Sequence, residues 1–150
     1  MKTYDTATPY TASYLVIRDA NKIAFVLRSN TSWMNGYYGL PSGKVEKAES
    51  FTKAAVREAK EESGIDIRPG DLNYLLTMHR MEDNGMEWVD VFFEPKKYKG
   101  KPYNAEPHVH SELVWLEPDN LPKNVIPSVK FALGEISKGH SFCEYGWSKR

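Results

Sequence analysis

The sequence predicts an α/β fold in which two helices pack on a mixed β-sheet within a single domain. Five runs rich in β-branched and aromatic residues have the composition of strands; they cover residues 11–19, 22–29, 72–80, 86–94 and 111–118. Segments 50–63 and 127–139 carry apolar residues at helical spacing. Strands interrupted by helices in this order are typical of helices packed on a mixed sheet. With 150 residues, the chain is long enough for one hydrophobic core, and one domain is expected over residues 1–150.

The first two predicted strands are separated by Asp19-Ala20-Asn21, a combination of residues that favours a turn. The two strands are therefore expected to pair with each other as a hairpin. The segment after them, residues 29–43, is rich in glycine, serine, asparagine and aromatic residues and is expected to be a loop. Long loops in compact domains are frequently functional, so this loop is a candidate for ligand binding.

The helix predicted after this loop has a recognisable residue at each end. Ser50 precedes the apolar periodicity as a candidate N-cap, and Gly64 lies where a left-handed residue usually ends a helix. After the helix, Asp83-Asn84-Gly85 separates two strand-like runs and predicts a β-hairpin.

The last third of the chain begins with a second long loop, residues 95–110, and a strand follows it. Pro127 stands near the start of the closing helix, where proline is well tolerated. The tail at residues 141–150 contains three aromatic residues and is expected to dock on the domain.

The overall charge gives no indication of a nucleic-acid or membrane partner, because 20 basic residues balance 20 acidic residues. One cysteine, Cys143, excludes an intrachain disulfide and fits a reducing, cytoplasmic setting. The N-terminal residues lack the pattern of a signal peptide, and no apolar run approaches the ~20 residues that span a bilayer.

The helix at residues 50–63 carries an unusual acidic face. Glu58, Glu61 and Glu62 each lie seven residues after an apolar residue, so they continue the apolar stripe. Carboxylates near a helix C-terminus oppose the helix dipole by about 0.3–1 kcal/mol each, and like charges four residues apart repel. A divalent cation removes these penalties, and carboxylate oxygens are the ligands that Mg²⁺ or Mn²⁺ prefers. The spacing therefore predicts a metal site.

The residues from Gly43 to Ile65 resemble the Nudix box. Gly43, five residues, Glu49, seven residues, Arg57-Glu58, two residues and Glu61-Glu62 match the fixed positions of that signature, as do Gly64 and Ile65 after them. Ala59 departs from it, because a larger aliphatic residue is usual there. The stretch at residues 104–122 also resembles nucleoside-triphosphate diphosphatases of the family, and the likeness spans roughly residues 11–138.

The resemblance implies an α/β/α sandwich and hydrolysis of a nucleoside diphosphate linked to another group, with Mg²⁺ (or Mn²⁺) as cofactor. It implies that Glu58, Glu61, Glu62 and the Gly43 carbonyl bind metal, with Glu58 or Glu61 activating water. Arg57 is expected to hold Glu49 or the loop. An additional loop carboxylate is expected from Glu106 or, as second choice, Glu112. The substrate contacts predicted from position and chemistry are Arg28, Lys44, Trp33, Tyr37 and Tyr38.

The first functional hypothesis is a nucleoside-triphosphate pyrophosphohydrolase that releases a nucleoside monophosphate and pyrophosphate. Hydrolysis of ADP-ribose, a nucleotide sugar or a dinucleoside polyphosphate is the alternative, although residues 79–83 lack the proline or tyrosine typical of such enzymes. A Nudix module that binds nucleotides without cleaving them is the alternative of a different class. The sequence leaves the oligomeric state open, with a homodimer as one alternative because many relatives pair.

Overall fold

The structure, a computed structural model, describes residues 1–148 of the chain. The helices and strands in this part are β1 (Tyr10–Leu15), β2 (Arg18–Asp19), β3 (Lys22–Arg28), β4 (Tyr38–Gly39), β5 (Ser42–Lys44), α1 (Phe51–Ser63), β6 (Leu72–Met81), β7 (Glu87–Pro95), β8 (His110–Leu116), α2 (Pro127–Ser137) and β9 (Phe142–Tyr145). A short 3₁₀ turn at Pro69–Asp71 precedes β6. Neither helix in residues 1–148 is long and apolar enough to cross a membrane.

The strands form two sheets, and the predicted mixed α/β architecture is confirmed. The larger sheet has the order β5-β1-β7-β6-β9, in which β1 pairs with β7 and β6 pairs with β9 in parallel. The smaller sheet is antiparallel, and in it β3 pairs with β2, β4 and β8. Helix α1 packs on β1 and β5, whereas α2 packs on β6 and β9.

The expected hairpin between the first two predicted strands is wrong in most of its length. Only the two residues of β2 pair with β3, whereas β1 lies in the other sheet beside β5 and β7. The chain changes sheets at Val16 and Ile17, which are fully buried between them. Val16 N still donates to Phe93 O of β7, while Ile17 O accepts from Ala24 N of β3. Their apolar side chains thus favour the crossing, because both faces of this segment are covered.

Helix α1 begins and ends where the sequence predicts. Ser50 Oγ accepts a hydrogen bond from Lys53 N at 3.2 Å, and Gly64, at φ 72°, donates to Lys60 O at 3.0 Å. The second long loop then crosses this end of the helix: Tyr103 N donates to Ser63 O and Ala105 N donates to Glu62 O. These bonds satisfy carbonyls that a helix C-terminus leaves without partners.

The aromatic tail docks as expected, and it does so partly as a strand that the sequence did not predict. Strand β9 pairs in parallel with β6, with Cys143 opposite Met78. Beyond it, Trp147 Nε1 donates to His79 O at 2.9 Å. A parallel edge strand formed by so short a segment depends on β6 being in place, which local sequence does not show.

We expect Gly64→Ala to destabilise the protein by at least about 1–2 kcal/mol, because alanine is strained in the left-handed conformation that Gly64 adopts and its Cβ would lie 2.1 Å from Tyr103 Cε1. The free energy of unfolding from chemical denaturation measures the change. Gly134→Ala is the matched control: its added methyl group meets no atom within 4 Å, and it lies inside α2. The control should be neutral or stabilising by about 0.5–1 kcal/mol. Equal losses in the two variants would contradict both the conformational strain and the overlap with Tyr103 as the cause.

Candidate active site

The acidic residues of α1 lie at the end of the helix that faces β5. Glu58 and Glu62 are buried, at 8% and 9% exposure, whereas the Glu61 side chain is 46% exposed at the rim. The prediction that the three glutamates continue the apolar stripe is therefore confirmed for Glu58 and Glu62 and wrong for Glu61. Glu61 lies at the edge because the turn between them rotates its side chain away from the sheet.

The two buried carboxylates are held in a costly environment. Glu62 Oε2 accepts a hydrogen bond from Ser42 N at 2.9 Å, yet desolvation and the nearby Glu58 raise the pKa of Glu62 well above its usual value. Burial raises the pKa of Glu58 to about 7, against the opposing effect of Arg57. Desolvation disfavours the charged form of a carboxylate, so both side chains would gain from a nearby cation.

Arg57 supplies positive charge to this corner. Its Nε and Nη2 donate to the two carboxylate oxygens of Glu49 at 2.8 and 3.0 Å, as the sequence predicts. Its Nη1 also contacts Glu58 Oε1 at 2.6 Å and Glu61 Oε2 at 3.2 Å. Pairing with three carboxylates thus draws the guanidinium toward the acidic corner.

Gly43 lies opposite Ser13 of β1 and packs directly against Glu58. A Cβ at position 43 would lie 1.9 Å from Glu58 Oε1, well inside van der Waals contact. Glycine is therefore required here by space, and the small residue lets the β5 backbone approach the buried carboxylates.

Of the two loop carboxylates proposed from sequence, Glu106 lies beside the acidic corner. Desolvation and the charge of Glu61 raise the pKa of Glu106, and its charge in turn acts on Glu58 and Glu62. Its position follows from the loop that crosses the end of α1. Glu112 instead accepts a hydrogen bond from Tyr38 Oη at 2.8 Å. The geometry favours Glu106 over Glu112, and the role of either residue stays a prediction.

A cavity of about 440 Å³ extends from the acidic corner across the larger sheet. This volume lies in the range of small-ligand sites. Gly43, Lys44 and Glu62 line one end, and Arg80, Asn84 and Trp88 line another part of the wall. The cavity therefore joins the acidic corner to a space with the volume of a small ligand.

Three of the five predicted substrate contacts line this cavity. Arg28 and Trp33 form one part of its wall, where the guanidinium lies 5.4 Å from the Trp33 ring and Arg28 Nε donates to Trp33 O. Lys44 lies with its Nζ 5.1 Å from the Tyr10 ring. Tyr37 and Tyr38 are not among the lining residues. The roles of all five in binding stay predictions.

Sequence reasoning missed a buried polar cluster at the wall of the same cavity. Arg80 donates to Asp90 and to Glu82, and its guanidinium lies 5.0 Å from the Trp88 ring. Each of two strand-like runs contains one of these charged residues, Arg80 in the first and Asp90 in the second. Sequence alone does not show that the two side chains meet.

The acidic corner fits a hard divalent cation by its donor chemistry. Within residues 1–148, no group of three acidic, histidine or cysteine side chains converges as a ready ligand set, since Arg57 lies between Glu58 and Glu61. The fit rests instead on two desolvated carboxylates with raised pKa values and on the room that Gly43 leaves beside Glu58. Carboxylate and carbonyl oxygens are the ligands of Mg²⁺ and Mn²⁺.

Comparison with known proteins gives one consistent family. The family model described as NUDIX domain matches residues 8–133. A protein of Escherichia coli strain K12 named CTP pyrophosphohydrolase is 30% identical over 104 residues, which are 69% of this chain and 73% of that protein. A zebrafish (Danio rerio) protein named 8-oxo-dGDP phosphatase NUDT18 is 27% identical over 84 residues, which are 56% of this chain but only 24% of that protein.

Solved structures show the same fold. A MutT NUDIX hydrolase from Burkholderia pseudomallei superposes with a TM-score of 0.77 at 28% identity, covering 85% of this chain and 98% of that one. A MutT protein from Methanosarcina mazei Go1 gives a TM-score of 0.75 at 21% identity, covering 89% and 97%. The second likeness bears on the fold alone.

His110 gives a pH-dependent contribution to stability that can be measured. It is 2% exposed, its Nδ1 has no hydrogen-bond partner among residues 1–148, and burial lowers its pKa from 6.5 to about 4. At His110 the unfolded chain binds more protons than the folded chain between those values, so the contribution of this residue to stability falls as pH falls from 6.5 to 4, by up to about 3 kcal/mol. Glu58 and Glu62, whose pKa values are raised, contribute with the opposite sign in this range. We expect His110→Phe to remove the His110 contribution, so the stability of the variant relative to wild type should rise as pH falls.

Urea unfolding at pH 7.5, 6 and 5 measures the slope for wild type and variant. His108→Gln, a change at an exposed histidine two residues away, should leave the slope largely in place. An unchanged slope in His110→Phe would show that His110 does not contribute to the pH dependence of stability.

Proposed function

This chain belongs to the Nudix hydrolase family, which makes it an enzyme of the pyrophosphohydrolase type, and we propose that it hydrolyses a nucleoside triphosphate to a nucleoside monophosphate and pyrophosphate with Mg²⁺. The observation that carries the proposal is the opening of the cavity directly onto the buried Glu62 and onto Gly43. A relative named CTP pyrophosphohydrolase, matched over 69% of this chain, supports the substrate class.

The metal would be held by Glu58, Glu61, Glu62 and the Gly43 carbonyl. When bound, Mg²⁺ neutralises phosphate charge and lowers the pKa of coordinated water. In the reaction, water adds to phosphorus, the bridging P–O bond of the anhydride breaks, and pyrophosphate leaves. The proton released by the water passes to a carboxylate of this corner. Glu58, Glu61 and Glu106 are the candidates for that base.

Residues on the cavity wall would bind the rest of the substrate. Lys44 follows Gly43 directly, so its ammonium group can approach the phosphates beside the acidic corner. Trp33 is 40% exposed and presents a ring on which a base can stack, with Arg28 behind it. Binding the phosphates and the base at separate points holds the anhydride in line with the water.

A nucleoside diphosphate is the second candidate substrate, because a relative named 8-oxo-dGDP phosphatase matches 56% of this chain. Hydrolysis of ADP-ribose, a nucleotide sugar or a dinucleoside polyphosphate stays an alternative with less support from residues 79–83. The non-catalytic alternative is disfavoured, because all the glutamates of the box are present.

We expect Glu61→Gln and Glu58→Gln each to lower turnover on the order of 10³-fold, because each removes a metal ligand or base while keeping the side-chain shape. Release of pyrophosphate from a nucleotide panel with Mg²⁺ measures the rate. Glu117→Gln, at an exposed position, is the matched control and should keep the wild-type rate. Near-normal rates in both site variants would refute the assigned roles.

Gly43→Ala tests the space beside Glu58. The added methyl group overlaps Glu58 Oε1, so the carboxylate must move. A displacement of about 1 Å at an active site can cost on the order of 10²-fold in rate, and we expect a loss of that size. Gly70→Ala, whose methyl group meets nothing within 4 Å, controls for the substitution itself. A Gly43→Ala enzyme with full activity and unchanged Mg²⁺ affinity would show that close packing here is dispensable.

A further inference from the structure

The polar cluster on the cavity wall is unusual because its charges are buried. Arg80 is 4% exposed and Asp90 is fully buried on neighbouring strands. Arg80 Nε donates to Asp90 Oδ2 at 2.6 Å and Nη2 donates to Asp90 Oδ1 at 3.3 Å, while Nη1 donates to Glu82 Oε1 at 2.6 Å. Replacing a buried ion pair by apolar residues is frequently neutral or stabilising, so stability alone does not explain the pair. A function for the guanidinium is the other reason to keep it.

Arg80 has donors to spare in this arrangement. A guanidinium carries five N–H groups, and three of them bind Asp90 and Glu82. Within residues 1–148, no further acceptor binds the second N–H of Nη1 or of Nη2. Arg80 itself lines the cavity, as do Glu62 and Gly43 of the acidic corner. Two donors, one on each terminal nitrogen, are thus available to a ligand that reaches Arg80.

The surroundings of Arg80 add donors and hold the guanidinium still. Trp88 Nε1 is a buried donor that finds no acceptor in the described part of the chain, and the Trp88 ring covers one side of the guanidinium. Asn84 Oδ1 accepts from Met86 N, which leaves the Asn84 amide nitrogen to other acceptors. Glu82, the carboxylate at this wall, is already engaged by Arg80. All these residues line the same cavity, so its wall here is rich in donors.

We propose that Arg80 selects the nucleobase by donating two hydrogen bonds to an edge with two adjacent acceptors. This inference rests on the proposed function, since it requires a nucleotide in the cavity. Guanine presents such a pair at O6 and N7, and cytosine presents one at O2 and N3. The corresponding edges of adenine and uracil alternate donor and acceptor. A bidentate contact of this kind discriminates by about 5- to 150-fold, and Asp90 and Glu82 act as positioning residues that fix the fork.

A base panel with the wild-type protein tests the selection directly. We expect kcat/KM for GTP or CTP to exceed that for ATP and UTP by 5- to 150-fold. If GTP is preferred, ITP should match it, because hypoxanthine keeps O6 and N7, whereas 7-deaza-GTP should lose the advantage. If CTP is preferred, 3-deaza-CTP should lose it. Equal rates across the panel, or a preference for ATP or UTP, would overturn the proposal.

Substitution of Arg80 tests the assignment to this side chain. Arg80→Lys keeps a positive charge beside Asp90 but has no planar fork, so the ratio of kcat/KM for the preferred base over ATP should fall toward one. The double variant Arg80→Gln with Asp90→Asn removes both charges together and covers the case in which Arg80→Lys fails to fold. Arg18→Lys, at a partly exposed arginine paired with Glu94, is the control and should keep the ratio.

The ratio within one variant is insensitive to the fraction of protein that is folded, so a merely structural role would not change it. Equilibrium binding of GMP, CMP, AMP and UMP gives a second readout that does not depend on hydrolysis. A preference for GMP or CMP that Arg80→Lys abolishes, without hydrolysis of any nucleotide, would refute the proposed function and support base selection. A preference that persists in both Arg80 variants would refute base selection and leave the proposed function standing.

Discussion

The desolvation of Glu58 and Glu62 at the end of α1 is the constraint to which the neighbouring structure is adapted. Two carboxylates buried side by side raise each other's free energy, and the helix C-terminus adds to that cost. The fold offsets part of it through the Ser42 N–H group and the Arg57 guanidinium. Hydrogen-bond donors to a carboxylate favour its charged form, but here desolvation has the larger effect. A nearby positive charge would therefore lower the free energy of the charged carboxylates.

Several features of the fold surround the two buried carboxylates. The approach of β5 to Glu58 requires glycine at position 43, and the β1–β5 pairing holds that backbone in place. The loop after β7 crosses the end of α1 because the last carbonyls of the helix need donors, and this crossing brings Glu106 to the corner. Close approach of the backbone thus accounts for Gly43, and hydrogen bonding at the helix end accounts for the position of Glu106.

The sequence predicts the parts of the structure whose geometry is local. The spacing of Glu58 and Glu62 on one helix fixes their relative position, and Ser50 and Gly64 fix the helix ends. The departure of β1 into the other sheet and the parallel pairing of β9 depend on distant segments, so local composition does not indicate them. The exposure of Glu61 and the inward turn of Arg57 depend on side-chain packing, which a helical wheel does not describe.

Arg80 and Asp90 show why one wall of the cavity escapes sequence reasoning. Arg80 lies directly opposite Trp88 in the β6–β7 hairpin, so Asp90 is its diagonal neighbour on the same face. A shift of one residue in this register would turn Arg80 to the opposite face of the sheet. The register is set across the turn at residues 83–85, where Gly85 has a φ of 87° and Asn84 Oδ1 accepts from Met86 N. The turn therefore acts on this wall in two ways, because it aligns the ion pair and places Asn84 on the wall. A change in the length of the turn would misalign both without touching the acidic corner.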